Sequence, residues 1–507
     1  MNLIKFIYGW LKRLPWRFSV GMVVSLLLWL VIISTILKYF ELRTIAEAIT
    51  KITFTSSLAQ TAFSGELEYV FGVIPVFFEG LVVVLITLAG LVVSYNVAAV
   101  FNQKARFKPQ MDVHDPAQPT PGKSTVLQEF VEKYGIQDLR IGIINAGGGA
   151  KGAYQAGALK AIYEFLEENN ALDKVKMIAG TSIGSWNSMF WLAGLVKPPA
   201  TGEMSAHEKW WKSVNIKGLV DFAKYFPLAK NSFLHTTPWQ ETFLDIFKNH
   251  PSVQQYLMKH LFDDPDKAMH FYLTRSNVET GKLEFATNNA SLPKMERTKW
   301  QHGKAVGKEP VVPPEEYELI KKNDEADALE RMKMAVFASM DLPPMFPYME
   351  IDQKYFEDGG VVDNLPLRFG AGIEKCNLLF VLPLNASFEA EADHKSVFKR
   401  LFRVMNIRQG VLERESMKIT RLYNEKARLS NPQNPALVSL FTICPNQPLV
   451  IETSELWKTA EAGQAFDLMY EATKKEIHNN FMELADPDWL RMALVNPDGT
   501  VEYRDDF

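Results

Sequence analysis

Hydrophobic positions are spread unevenly along the 507-residue chain. Phe18 to Leu37 contains no charged residue and is rich in Val, Leu and Ile, and Gly80 to Phe101 has the same character. Each run is about 20 residues long, enough for a helix to cross a bilayer core of roughly 30 Å. Neither offers the polar face of a surface helix packed on a core. No small-x-small cleavage site follows the first run before Lys38-Tyr39-Phe40-Glu41, as a signal peptide would require. Residues 1–108 are therefore expected to form a membrane anchor with transmembrane helices near 18–37 and 80–101. The Pro-rich stretch that follows is too poor in apolar residues to pack, so 109–123 reads as a linker.

From residue 124 the pattern changes to short apolar runs alternating with helical spacing. Leu139 to Asn145 reads as a buried strand, and Gly152 to Glu168 places Tyr154, Ala158, Ile162 and Leu166 along one helix face. Val175 to Ala179 predicts a second strand, followed by an apolar helix through Trp191. Phe271 to Thr274 and Lys282 to Phe285 flank the hairpin-like turn Glu279-Thr280-Gly281, and Leu378 to Leu382 predicts a late buried strand. Strands separated by helices imply an α/β domain over 124–395, with a mainly parallel sheet covered on both faces. The stretch 293–331 breaks this pattern with charges and with Pro310, Pro313 and Pro314; it is a candidate lid or docking surface. Residues 396–507 are expected to form a mainly helical C-terminal region.

Charge adds a direction. Lys5, Lys12, Arg13 and Arg17 precede the first apolar run, and Lys104, Arg106 and Lys108 follow the second, against Lys38, Arg43 and Lys51 between them. The positive-inside rule then puts both ends of the chain in the cytoplasm, with the bacterial inner membrane as the expected location. A net charge of −4 is too weak at this length to suggest a nucleic-acid partner. Cys376 and Cys444 do not make a disulfide framework and are expected to be reduced. The nine histidines show no spacing of the HExxH kind, so no catalytic metal or other cofactor is expected.

Three glycine-flanked segments carry candidate chemistry. Gly180-Thr181-Ser182-Ile183-Gly184 is a G-x-S-x-G between a strand and a helix, the setting of a nucleophile elbow, in which the serine sits on a sharp turn. Gly147-Gly148-Gly149-Ala150-Lys151-Gly152 exposes backbone N–H groups at a helix start and can bind a phosphate or an oxyanion, or can be a structural turn. It lacks the hydroxyl residue that a P-loop needs after its lysine. Lys151 could orient the loop or meet a lipid phosphate. Asp358-Gly359-Gly360 is weak alone, since Asp-Gly marks many plain turns. No histidine follows Ser182 in a convincing motif, however, and a serine nucleophile needs a base.

In this order the three segments resemble the patatin-like phospholipases, over roughly residues 138–385. Ala338-Ser339 leading to Pro343-Pro344 and Phe346-Pro347, the run from Asp358 through Asn364 to Pro366, and His235-Thr236-Thr237-Pro238 are similar to further family stretches. Lys151 departs from the arginine that many members carry. The resemblance implies a patatin-like three-layer fold and a Ser182–Asp358 dyad without histidine. Backbone N–H groups of Gly147, Gly148 and Gly149 would hold the oxyanion, while Lys151, Gly152, Gly180, Gly184, Gly359 and Gly360 support the motifs. It also implies acyl-ester hydrolysis of membrane phospholipid with no cofactor. An acyltransferase would use the same residues, and a lipid-binding scaffold is the non-enzymatic alternative.

Overall fold

The computed structural model describes residues 125–505, apart from 201, 216–217, 223–231, 233, 266, 303, 323–324, 386–396, 432–434, 454 and 457. The two expected transmembrane helices and the 109–123 linker lie outside the described residues. Among the described residues, no helix is long and apolar enough to cross a membrane.

Eleven strands form the central sheet: β1 (Ile141–Asn145), β2 (Val175–Gly180), β3 (His270–Asn277), β4 (Leu283–Thr287), β5 (Tyr317–Leu319), β6 (Met349–Ile351), β7 (Lys354–Asp358), β8 (Leu378–Leu382), β9 (Ser439–Pro445), β10 (Met492–Val495) and β11 (Val501–Arg504). Hydrogen-bonded neighbours run β6-β7-β3-β2-β1-β8-β9-β10-β11, with β7 and β2 on the same edge of β3, and β4 pairs with both β3 and β5. The run from β3 through β2, β1, β8 and β9 to β10 is parallel throughout. Its strands read as continuous apolar runs because both faces are covered. In β8, Leu378, Phe380 and Leu382 enter the core on one face, while Leu379 and Val381 enter the core on the other.

Helix α1 (Gly152–Glu168) leaves β1 and α2 (Ile183–Leu192) leaves β2. Later come α3 (Glu325–Met340), α4 (Val397–Ser430) and α5 (Thr459–Leu484). Helix α5 lies so close on α1 that a Cβ at Gly157 would stand 2.1 Å from the Phe466 carbonyl oxygen. On α4 the buried positions Gln409, Glu413, Met417, Thr420 and Asn424 recur every three or four residues, one helical face turned to the protein.

Two expectations are corrected. The stretch 293–331 is not one insertion. Its protruding part is a hairpin, Glu296–Gln301 paired with Lys304–Pro310, with Trp300 66% exposed; Tyr317–Leu319 then joins the central sheet and α3 starts at Glu325. Charges on both hairpin faces hid the strands, because period-2 alternation needs one apolar face to be visible. Likewise, the region after 395 is not simply a helical tail. It supplies α4 and α5 but also β9, β10 and β11, which complete one edge of the same sheet.

Candidate active site

Ser182 sits where β2 turns into α2, with φ 54° and ψ −126°. A non-glycine residue with positive φ is strained, and such strain persists only where the surroundings enforce it. The flanking glycines do so by close packing. A Cβ on Gly184 would stand 2.3 Å from the Asn145 carbonyl oxygen, and one on Gly180 would stand 2.6 Å from the Gly184 carbonyl oxygen. The Ser182 N–H donates to Ser339 Oγ of α3 at 2.8 Å, and Ser185 Oγ donates to Gly180 O at 2.9 Å. Beneath the turn, Trp186 packs edge-on against Phe190 and Trp239 at 5.7 and 5.4 Å between ring centroids. Aromatic pairs in this geometry add about 0.5–1.5 kcal/mol each beyond area burial. The elbow is therefore held from below while Ser182 itself stays partly open to solvent.

Sheet register brings Asp358 to it. Along one edge of β3, β2 pairs with residues 270–273 and stops at Gly180 opposite Leu273. Beyond that point β7 arrives antiparallel on the same edge and ends with Asp358 opposite Arg275. Two strands thus meet head to head along β3, with Asp358 the last residue of one and Ser182 two residues past the end of the other. The Ser182 side chain acts on the Asp358 carboxyl and lowers its pKa, and Asp358 Oδ1 accepts the Gly360 N–H at 2.7 Å. Burial raises the Asp358 carboxyl to about 7, against the lowering effect of Ser182 and of the Gly360 N–H. Gly359 is a glycine for room: a Cβ there would lie 2.4 Å from Thr274 Oγ1.

The glycine loop after β1 passes beside the nucleophile. A Cβ on Gly147 would stand 2.6 Å from Asn364 Oδ1 and 2.9 Å from Ser182 Cβ. Gly149 has φ +59° and lies against the Thr453 carbonyl oxygen, where a Cβ would approach to 2.3 Å. Ala150 N–H donates to that same oxygen at 2.9 Å, whereas among the described residues nothing accepts from the N–H of Gly147, Gly148 or Gly149. Unpaired N–H donors on a loop that passes the serine are what an oxyanion site requires.

Lys151 faces inward: it is only 2% exposed and bonds Asn385 Oδ1. Of its two sequence readings, orientation of the loop is the one this placement fits. Around it lies a buried polar cluster that sequence reasoning did not assemble. Glu413 Oε1 of α4 accepts from Asn385 Nδ2 at 2.9 Å and from Asn364 Nδ2 at 2.5 Å, and Asn364 Nδ2 also donates to Gly147 O at 3.1 Å. Burial pushes the Glu413 carboxyl up to about 7, opposed by its hydrogen bonds with Asn385 and Asn364 and by the Lys151 charge. Asp341 is a second buried acid. Neither of its oxygens has a partner among the described residues, its carbonyl accepts the Asp358 N–H at 3.1 Å, and burial with the nearby Asp358 charge lifts its pKa well above the carboxylate range. No alternation or motif marks Glu413 or Asp341; only the fold brings them here. The segment 235–238 instead starts the helix Thr237–Phe243, Trp239 N–H donating to Leu219 O at 3.0 Å.

No curated protein matches the sequence. Among solved structures the chain is similar to VipD from Legionella pneumophila, at 12% identity over 67% of each chain with a TM-score of 0.30. It is also similar to the full-length SpcU–ExoU complex of the type III secretion system of Pseudomonas aeruginosa, at 14% identity over 69% of this chain and 73% of that one, with a TM-score of 0.18. Residues 144–369 match the sequence profile of the patatin-like phospholipases. That span begins in β1, ends just past the Asp358 loop and contains both glycine-flanked turns. The chain therefore carries a patatin-like phospholipase domain at residues 144–369.

Proposed function

We propose that the domain hydrolyses fatty acyl esters of membrane phospholipids through Ser182 and Asp358. The observation that carries this reading is the sheet register that sets the strained, partly open Ser182 beside the buried Asp358, whose pKa it lowers. As Ser182 Oγ attacks the ester carbonyl carbon, its proton passes to Asp358 and the carbonyl oxygen becomes an oxyanion facing the N–H groups of Gly147 and Gly148. Collapse of this intermediate breaks the ester C–O bond, and Asp358 returns the proton to the leaving lyso-lipid oxygen. Water then attacks the acyl-enzyme with Asp358 again as base, and a fatty acid leaves. A carboxyl with a pKa near 7 suits this cycle, because it both accepts and returns the proton at neutral pH. Lipid mass spectrometry tests the reading: the wild type should release free fatty acid and lyso-lipid in equal amounts. Transfer of the acyl group to another lipid in place of free acid would make the protein a transacylase.

The membrane anchor at 1–108 and a cytoplasmic catalytic domain belong to the same proposal. They rest on the two uncharged runs and on the excess of Lys and Arg outside the segment between them. Protease added to sealed spheroplasts should leave the domain intact and digest it only after lysis; digestion before lysis would reverse the orientation.

A further inference from the structure

Helix α4 is two-faced in an inverted sense, since its buried face is mainly polar and its exposed face carries apolar side chains. Opposite the buried face of Gln409, Glu413 and Met417 runs a second stripe of exposed residues: Val404, Ile407, Val411, Ile419, Leu422 and Leu429. At 100° per residue these six fall within about 60° of one line along the helix. From Val404 to Leu429 the stripe is about 38 Å long at 1.5 Å per residue. Exposure is high where it counts: Val404 is 64%, Ile419 65%, Leu422 61% and Leu429 84% exposed. Isolated exposed apolar residues need no explanation, but six on one helix face do, even with the Glu415–Lys418 pair set between Val411 and Ile419.

Charge indicates what covers it. Residues 403–430 hold seven Lys or Arg and three Glu, and Glu413 is turned inward. Lys418 meets Glu415, Arg421 meets Glu425 and Arg428 meets Asp488, which leaves the outer surface net positive. An apolar stripe bordered by cations is the pattern of a helix lying in the interface of an anionic bilayer.

We infer that the outward face of α4 docks on an anionic lipid surface. The stripe enters the headgroup boundary while the flanking Arg and Lys meet lipid phosphates. The opposite face of the same helix carries Glu413, which contacts Asn364 and Asn385 behind the glycine loop. Docking therefore brings the candidate active site to within roughly one helix diameter, about 10 Å, of the bilayer. The docking claim rests on the helix alone; only its effect on turnover rests on the lipid-hydrolase reading.

The test uses the full chain reconstituted in bilayers of phosphatidylcholine with or without phosphatidylglycerol. An environment-sensitive fluorophore goes on Leu422→Cys, since the native Cys376 and Cys444 are buried. In phosphatidylglycerol bilayers, brominated acyl chains should quench the probe and aqueous iodide should not; pure phosphatidylcholine should weaken the effect by at least about tenfold in apparent affinity. A probe open to iodide in both bilayers overturns the inference. So does a probe shielded from iodide and from brominated lipid alike, which would mean a protein occupant: a second copy or another segment of this chain. In a second arm, Ile419→Asp with Leu422→Asp should lower vesicle-lipid hydrolysis about tenfold or more and leave hydrolysis of a soluble short-chain ester unchanged. Equal loss on both substrates overturns the link to turnover. A wild type inactive on both substrates would defeat the proposed activity, while the quenching would still decide docking.

Discussion

Ser182→Ala is expected to lower ester hydrolysis by at least about 10³-fold, and Asp358→Asn by a comparable factor. In the proposed mechanism the two side chains act as one proton-transfer unit, so the double variant should be little worse than either single one. A fluorophosphonate should label Ser182 in the wild type. In the wild type, kcat/KM should also fall about tenfold per pH unit below about 7, because the ionised Asp358 is the form that accepts the proton and burial raises its pKa to about 7. Stability runs the other way. A carboxyl whose folded pKa lies above its unfolded value stabilises the fold when protonated, and that contribution is lost as pH rises from about 4 through about 7. Asp358→Asn should therefore melt at a higher temperature than the wild type at about pH 8 and gain nothing at about pH 4. Retention of more than about a tenth of the activity by Ser182→Ala would sink the assignment.

The parts of this site that were readable along the chain are those held by local geometry. A strand, a glycine, a serine, a glycine and a helix make an elbow wherever they occur, because the turn needs the space that Gly180 and Gly184 leave. Leu378 to Leu382 was equally legible, since five consecutive apolar residues suit a strand buried on both faces. Asp358 was legible only through the family resemblance; its approach to Ser182 depends on β7 meeting β2 along β3, a register no local pattern encodes. Glu413 lies 55 positions beyond Asp358 on a helix whose sequence reads as charged and exposed. Its role depends on which face α4 turns inward. The strands β9, β10 and β11 were lost for a related reason. β10 and β11 have four residues each, too few to separate from helix ends, and the seven residues of β9 are interrupted by Thr442.

Gly147→Ala is expected to reduce kcat by about 10²- to 10³-fold with little change in KM, the signature of a contact made only in the transition state. The added methyl would stand 2.9 Å from Ser182 Cβ and 2.6 Å from Asn364 Oδ1, so either the nucleophile or the loop must move. A shift of even 1 Å misaligns the N–H groups of Gly147 and Gly148 with the oxyanion. Gly372→Ala is the control, because nothing lies within 4 Å of a Cβ at that position. The same loop is anchored from behind by Asn364, which bonds both Gly147 O and Glu413. Glu413→Leu removes the acceptor shared by Asn364 and Asn385 and leaves both amides short of a partner in a buried cluster. It should lower kcat about tenfold or more, whereas Glu413→Gln keeps one acceptor oxygen and should recover most of that loss. If Gly147→Ala stays within about threefold of the wild type, the Gly147–Gly148 donors do not hold the oxyanion, and the buried cluster around Glu413 serves stability alone.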